Sequence, residues 1–174
     1  MRTQKQFIIE SLMAANMLHN AMVNGGATIE VKKMSNGDIA VKEVTFMDGF
    51  QISLPNTGEA IALQNDQAST LKLLDAFMTA AIEVAAVNTV GERYGELPRY
   101  IGIWVEDGHM YIEHSVRIKD ANTALTMGRV FCQQAIYDWS QSCCLTVGGT
   151  DEAFDESMES QPKDGPEFEL NFPE

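Results

Sequence analysis

The stretch Tyr100-Ile-Gly-Ile-Trp-Val-Glu-Asp-Gly-His-Met-Tyr-Ile-Glu-His-Ser-Val-Arg-Ile118 decides the fold. Two runs of alternating side chains flank Asp107-Gly108, a dipeptide that tolerates the positive backbone angles of a two-residue hairpin turn. The spacing predicts strands over Tyr100–Glu106 and Met110–Ile118. Ile101, Ile103 and Val105 fall on one face, with Tyr100 and Trp104 on the other. On the returning run Met110, Ile112, His114, Val116 and Ile118 alternate with Tyr111, Glu113, Ser115 and Arg117. An antiparallel hairpin with one strongly apolar face needs helices to cover it.

The flanking sequence supplies them. Before the hairpin, Ile8, Leu12, Ala15 and Met22 recur at helical spacing, widened by Phe7, Ile9, Met13 and Met17, and Gly25-Gly26 ends the run. Ala27–Lys33, Asp38–Phe46, Phe50–Leu54 and Glu59–Leu63 are short segments separated by Asn36-Gly37, Asp48-Gly49 and Pro55-Asn-Thr-Gly58, which predict an antiparallel meander. Asn65 or Asp66 caps a helix expected to run to about Val87, apolar on most sides, with residues 91–98 a loop leading out of it. After the hairpin, Asp120 or Asn122 caps a helix to about Gln133 in which Gly128 permits close approach to the sheet. Ala135–Asp138 and Cys143–Val147 complete the set as strands. The class is α+β: antiparallel sheet built from short hairpin strands, with about three helices and an acidic C-terminal tail.

Charge divides the chain. Of its twenty-five acidic side chains, nine lie between Thr150 and Glu174, where Lys163 is the lone basic residue. The expected organisation is one domain over residues 1–149 and a flexible tail over 150–174. Asp151, Glu152, Asp155 and Glu156 are docking charges there, with Phe154, Phe168 and Phe172 as apolar points. Such a segment buries too little apolar surface to offset its ordering entropy, so it is expected to be disordered alone and able to dock on a basic partner.

Composition also excludes. The formal charge of −13 opposes binding of duplex DNA, which requires clustered Lys and Arg. The apolar run Leu71–Val90 is broken by Lys72, Asp75, Thr79, Glu83 and Asn88, which argues against a membrane span, and the first residues contain no signal-peptide core. Three cysteines, two of them adjacent, do not make a disulfide framework, and the expected compartment is a reducing cytoplasm. Nothing in the sequence opposes self-association.

No catalytic signature emerges. His109, Glu113 and His114 share a hairpin with Asp107, but Glu113 and His114 point to opposite faces. Cys143-Cys144 lacks the spacing of a zinc or redox pair, Cys132 is expected in the core, and no glycine-rich phosphate loop occurs. His19 falls on the apolar stripe of the first helix, as a packed or interface histidine. The expectation is therefore no catalytic residue, no metal and no cofactor. Tyr100, Trp104 and Tyr111 are the suggestive group. In the structural reading they form a second core layer under the first or second helix; exposed, they would anchor a partner or stack the bases of a single strand.

The hairpin with Asp120, Ala124-Leu-Thr-Met-Gly-Arg129 and Gln133-Gln-Ala-Ile-Tyr-Asp138 resembles the ending of small acidic accessory proteins of phages and conjugative elements, some of which are of anti-CRISPR or anti-restriction type. The resemblance covers about a quarter of the chain. It implies a non-enzymatic protein that binds and inhibits a host nucleic-acid-processing defence complex, with a basic nucleic-acid-binding surface as partner. Trp104, Tyr111, the tail carboxylates, Phe168 and Phe172 would make the contact. A single-stranded nucleic-acid-binding accessory protein with a recruiting tail is the alternative.

Overall fold

The computed structural model describes residues 4–94 and 96–148. The acidic segment, with its expected disorder and its docking residues, lies outside them. The order is α1 (Gln4–Asn24), β1 (Gly26–Lys33), β2 (Ile39–Glu43), β3 (Phe50–Ser53), β4 (Glu59–Ala62), α2 (Gln67–Tyr94), β5 (Arg99–Glu106), β6 (His109–Ile118), α3 (Ala121–Val130), β7 (Ala135–Asp138) and β8 (Cys143–Thr146). The protein is α+β: all eight strands join one antiparallel sheet in the order β2-β1-β5-β6-β3-β7-β8, with β4 pairing β6 beyond the end of β3.

Asp107 and Gly108 both adopt positive φ, 46° and 72°, and close the hairpin in the register Ile103↔Ile112 and Trp104↔Tyr111. Ile29 and Val31 of β1 join Ile101, Ile103, Met110 and Ile112 in the main core, against Leu73, Phe77, Ala81 and Val84 of α2 and Ala14, Leu18 and Ala21 of α1. Burial of each such branched or aromatic side chain stabilises by roughly 1.5–3 kcal/mol. Ile52, Val116, Ile118 and Ile136 carry the same face onward to Ala124 of α3. All three helices therefore cover one face of the sheet.

Several expectations change. The meander is confined to its first hairpin: β2 pairs only β1, whereas β3 pairs β6 and β7, and β4 pairs β6. The ten-residue β6 offers a longer partner than either four-residue strand could give the other across the Pro55 turn. The second helix continues through Gly91 to Tyr94, because packing against β1 and β5 supports its last turns. Asn88 there holds Arg99 by a two-way link, Nδ2 to the carbonyl at 2.9 Å and Oδ1 from the amide at 2.8 Å. Its outer side leaves Leu71, Ile82 and Val90 exposed, so it is less enclosed than its composition suggests. By length and composition Gln67–Gly91 could cross a membrane, and its scattered charges do not exclude that; in this fold its inner face packs on the sheet. Among the first-helix residues from Met13 onward, Ala14, Leu18 and Ala21 are buried and Met13, Met22 and His19 turn outward; the expected stripe residues Ile8 and Leu12 lie outside the described side chains.

The third helix begins at Asp120, whose Oδ1 accepts the Thr123 amide at 2.8 Å. It ends at Val130, three residues early, because Cys132 takes φ 54°, and Cys132 is exposed rather than in the core. Gly128 is packed so closely on β7 that an added Cβ would lie 2.9 Å from Ile136 Cγ2 and 3.4 Å from Val147 Cγ2. A helical Gly→Ala change ordinarily stabilises by about 1 kcal/mol. Here overpacking opposes it, and Gly128→Ala is expected to lower stability by about 1–3 kcal/mol, read as a lower urea midpoint with unchanged slope.

Candidate aromatic interaction face

The sheet face that the helices leave open carries the other half of each alternation. Tyr100, Gly102 and Trp104 come from β5; Tyr111, Glu113, Ser115 and Arg117 from β6; Gln51 and Ser53 from β3; and Tyr137 from β7, with Trp139 just beyond it. Neither the first nor the second helix covers Tyr100, Trp104 and Tyr111, which corrects that part of the reading; Tyr100 is nonetheless buried, and Trp104 and Tyr111 are half-buried.

Five rings form a continuous chain. Centroids lie 5.4 Å apart from Tyr100 to Phe46, 5.3 Å from Phe46 to Trp139, 4.8 Å from Trp139 to Tyr137 and 6.2 Å from Tyr137 to Trp104. The three contacts from Tyr100 to Tyr137 are edge-to-face, the arrangement that suits ring quadrupoles. Strands β5 and β7 are separated by β6 and β3, so on a flat sheet they would stand roughly 14 Å apart. Contact between Trp104 and Tyr137 therefore requires the sheet to coil, and the open face becomes concave. Trp104 divides it into two clefts: one of about 340 Å³ between Thr28, Val44 and Trp139, the other of about 500 Å³ beside Tyr111, Glu113 and Gln134. Gly102 makes room for Ser115, whose Oγ would lie 3.2 Å from an added Cβ, with the indole Nε1 in ordinary contact at 3.6 Å.

Beneath the rings runs a polar layer. Trp139 Nε1 donates to Gln51 Oε1 at 3.2 Å, Gln51 Nε2 donates to Ser115 Oγ at 2.9 Å, and both Gln51 and Ser115 are fully buried. Trp104 Nε1 donates to Ser53 Oγ at 3.2 Å, and Ser53 Oγ donates to the Glu113 carboxylate. These bonds fix both indoles through their N–H groups. Burial raises the Glu113 pKa, and its bonds to Ser53 and Trp104 only partly oppose that. Arg117 lies 4.4 Å above the Phe46 ring, and its Nε and Nη2 donate to the Asp48 carbonyl at 3.1 and 3.0 Å. It anchors the segment that brings Phe46 to the face.

The other titratable groups do not assemble with this layer. His114 is buried on the helix side, with Nε2 3.2 Å from Glu83 Oε2 but outside hydrogen-bond geometry, and desolvation lowers its pKa. His109 is half-exposed, its Nδ1 3.0 Å from the Asp107 carbonyl. Among the described residues no three His, Cys, Asp or Glu side chains converge as a metal site. A cavity of about 590 Å³ beside Lys32, Lys33, Asn88 and Arg99 has its Asn88 amide committed to the backbone and Lys32 paired with Glu30 at 3.0 Å.

Of the residues singled out from sequence, the structure places Trp104 at the centre of the face and Tyr111 on its margin, where its ring neighbour is His109 at 6.4 Å. Phe46, Tyr137 and Trp139 were missed. The alternation of Ile136 and Asp138 with Tyr137 and Trp139 held the signal for two of them. Against known protein families, curated proteins and solved structures, the chain matches none.

Because folding raises the Glu113 pKa, its carboxyl favours the fold when protonated. That contribution is complete below the ordinary carboxylate range and is lost as pH rises through the raised value. Glu113→Gln keeps an acceptor for Ser53 and removes the charge. It is expected to raise the urea midpoint at about pH 8 relative to wild type, with little difference at about pH 4.

Proposed function

We propose that this protein is a non-enzymatic interaction protein that grips a partner with the helix-free face of its sheet. The supporting observation is the chain of five rings held over a hydrogen-bonded layer on a concave face without a covering helix. Rigid aromatic side chains fixed through their N–H groups lose little entropy on association, which is why Trp and Tyr dominate binding hot spots. Trp104, Tyr137 and Trp139 are the anchors, with Tyr111 at the rim. The acidic residues Asp151, Glu152, Asp155 and Glu156 favour a partner with a basic nucleic-acid-binding surface, and charge of this kind acts mainly on the association rate. A host defence complex that processes nucleic acid fits that chemistry, and blocking it is the activity we assign.

A second reading draws on the same rings: single-stranded DNA stacked along Trp104, Tyr137 and Trp139, with Lys42 and Arg117 on the phosphates. The face also carries Glu30, Glu106 and Glu113, which weakens that reading against a protein partner.

The chain's two tryptophans both belong to this face, so intrinsic fluorescence reports on it directly. Host protein captured by the wild type and titrated back should shift that fluorescence, and Tyr137→Ala should weaken the complex by about 2 kcal/mol, roughly thirtyfold in Kd. A partner that binds Tyr137→Ala as tightly as wild type would remove the aromatic face from the interface. A fluorescence change with an oligo-dT strand that weakens steeply from about 50 to 200 mM salt would instead establish the single-strand reading.

A further inference from the structure

One edge of the sheet is shaped to receive another strand. β2 pairs only β1. Val44 N donates to the Thr28 carbonyl at 2.9 Å, and Met34 N to the Asp38 carbonyl at 2.8 Å. In an antiparallel ladder bonded and non-bonded pairs alternate, so Ala40 and Lys42 turn their backbone groups toward β1, while Ile39, Val41 and Glu43 turn theirs outward. Beside this edge, on the helix side, lies an apolar groove of about 250 Å³ lined by Met13, Ile39, Val41, Phe77, Met78 and Ala81. An added strand would place every second side chain in it.

We infer that the chain's own residues Phe168-Glu-Leu-Asn-Phe172 dock on β2 as a ninth strand. Within the acidic segment these five residues alternate apolar and polar, bounded by Pro166 before and Pro173 after. Beside β2, Phe168, Leu170 and Phe172 share the helix side with Ile39 and Val41 and reach toward the groove. Glu169 and Asn171 then fall on the side of Ala40 and Lys42, where Lys42 is exposed and Lys32 is next along the sheet. From Asp164 to Glu174 the segment has four carboxylates and no basic residue, so its charge complements Lys42, while Lys32 is already paired with Glu30.

The tether is long enough. Nearly twenty residues separate Gly148 from Phe168, an extended reach of roughly 65 Å, against about 29 Å for the six strand steps from β8 to β2 on a flat sheet. Such a tether holds the segment at an effective millimolar concentration. The edge of β8 suits it less: the cleft alongside, lined by Trp104, Tyr111, Gln133 and Gln134, lies on the face away from the helices, and Glu106 and Glu113 there repel acid. The inference does not rest on the aromatic face, which lies on the opposite side of the sheet from the groove.

The test is hydrogen exchange on the full chain, comparing wild type with Leu170→Asp, a change outside the packed body. The outward amides of Ile39, Val41 and Glu43 should exchange about tenfold faster in the variant at every protein concentration, with Lys42→Glu giving a smaller acceleration. The Ala40 and Lys42 amides, bonded to β1, are the internal control. Equal exchange at the three outward amides in wild type and Leu170→Asp would overturn the inference. Protection that grows with concentration, with a dimer mass by light scattering, would overturn docking on the same chain in favour of a second copy.

Discussion

The register of β5 against β6 is the constraint from which the rest follows. With Asp107 and Gly108 at the turn, Ile103 faces Ile112 and Trp104 faces Tyr111, so one face of the hairpin is aliphatic and the other aromatic and polar. A slip of one residue would exchange the two. β1 extends the aliphatic face on one side and β3 on the other, and α1, α2 and α3 assemble where that face needs covering. The open face is thus what remains once the hairpin has chosen its core side.

The open face has its own internal order. Gln51, Ser53 and Ser115 are buried polar residues in the middle of a sheet, each of which would cost about 1–3 kcal/mol if left without a partner. Instead they bind one another, Glu113 and the two indole N–H groups. This explains how large rings stay fixed without a helix pressing on them: they are tied down from below. It also makes the face hard to remodel piecemeal, since deleting Gln51 would remove both the acceptor of the Trp139 N–H and a donor to Ser115.

What the sequence disclosed depends on the range of the interaction. The β5–β6 hairpin, the caps at Asp120 and at Asp66, whose Oδ1 accepts the Ser69 amide at 2.7 Å, and the close packing at Gly128 are set by neighbours within a few residues or by a missing side chain, and each was legible, the caps as one of two neighbouring candidates. The pairings of β3 with β7 and of β4 with β6 join segments some 50 to 90 residues apart and have no local mark. That is why a meander was expected, and why Phe46, at the end of an expected strand, and Trp139, in an expected connection, were not seen to join Tyr100 in one row of rings. Trp104 was legible because its strand was; that the aromatic face lacks a helix depended on which side α1 and α2 would take, which alternation alone does not decide.

The two ends of the sheet also bear on how molecules meet one another. β2 and β8 are different edges at opposite ends of the strand order, so joining one molecule's β2, whenever residues 168–172 are off it, to another's β8 is a head-to-tail contact that does not close on itself and propagates as a filament. Short length blunts one edge, four residues in β8, and charge blunts the other, with Lys42 and Glu43 in β2. Net charge of −13 adds repulsion between whole molecules, and it vanishes near the sequence pI of about 4.5. Mild acid is therefore the condition under which this fold is most exposed to strand-by-strand polymerisation.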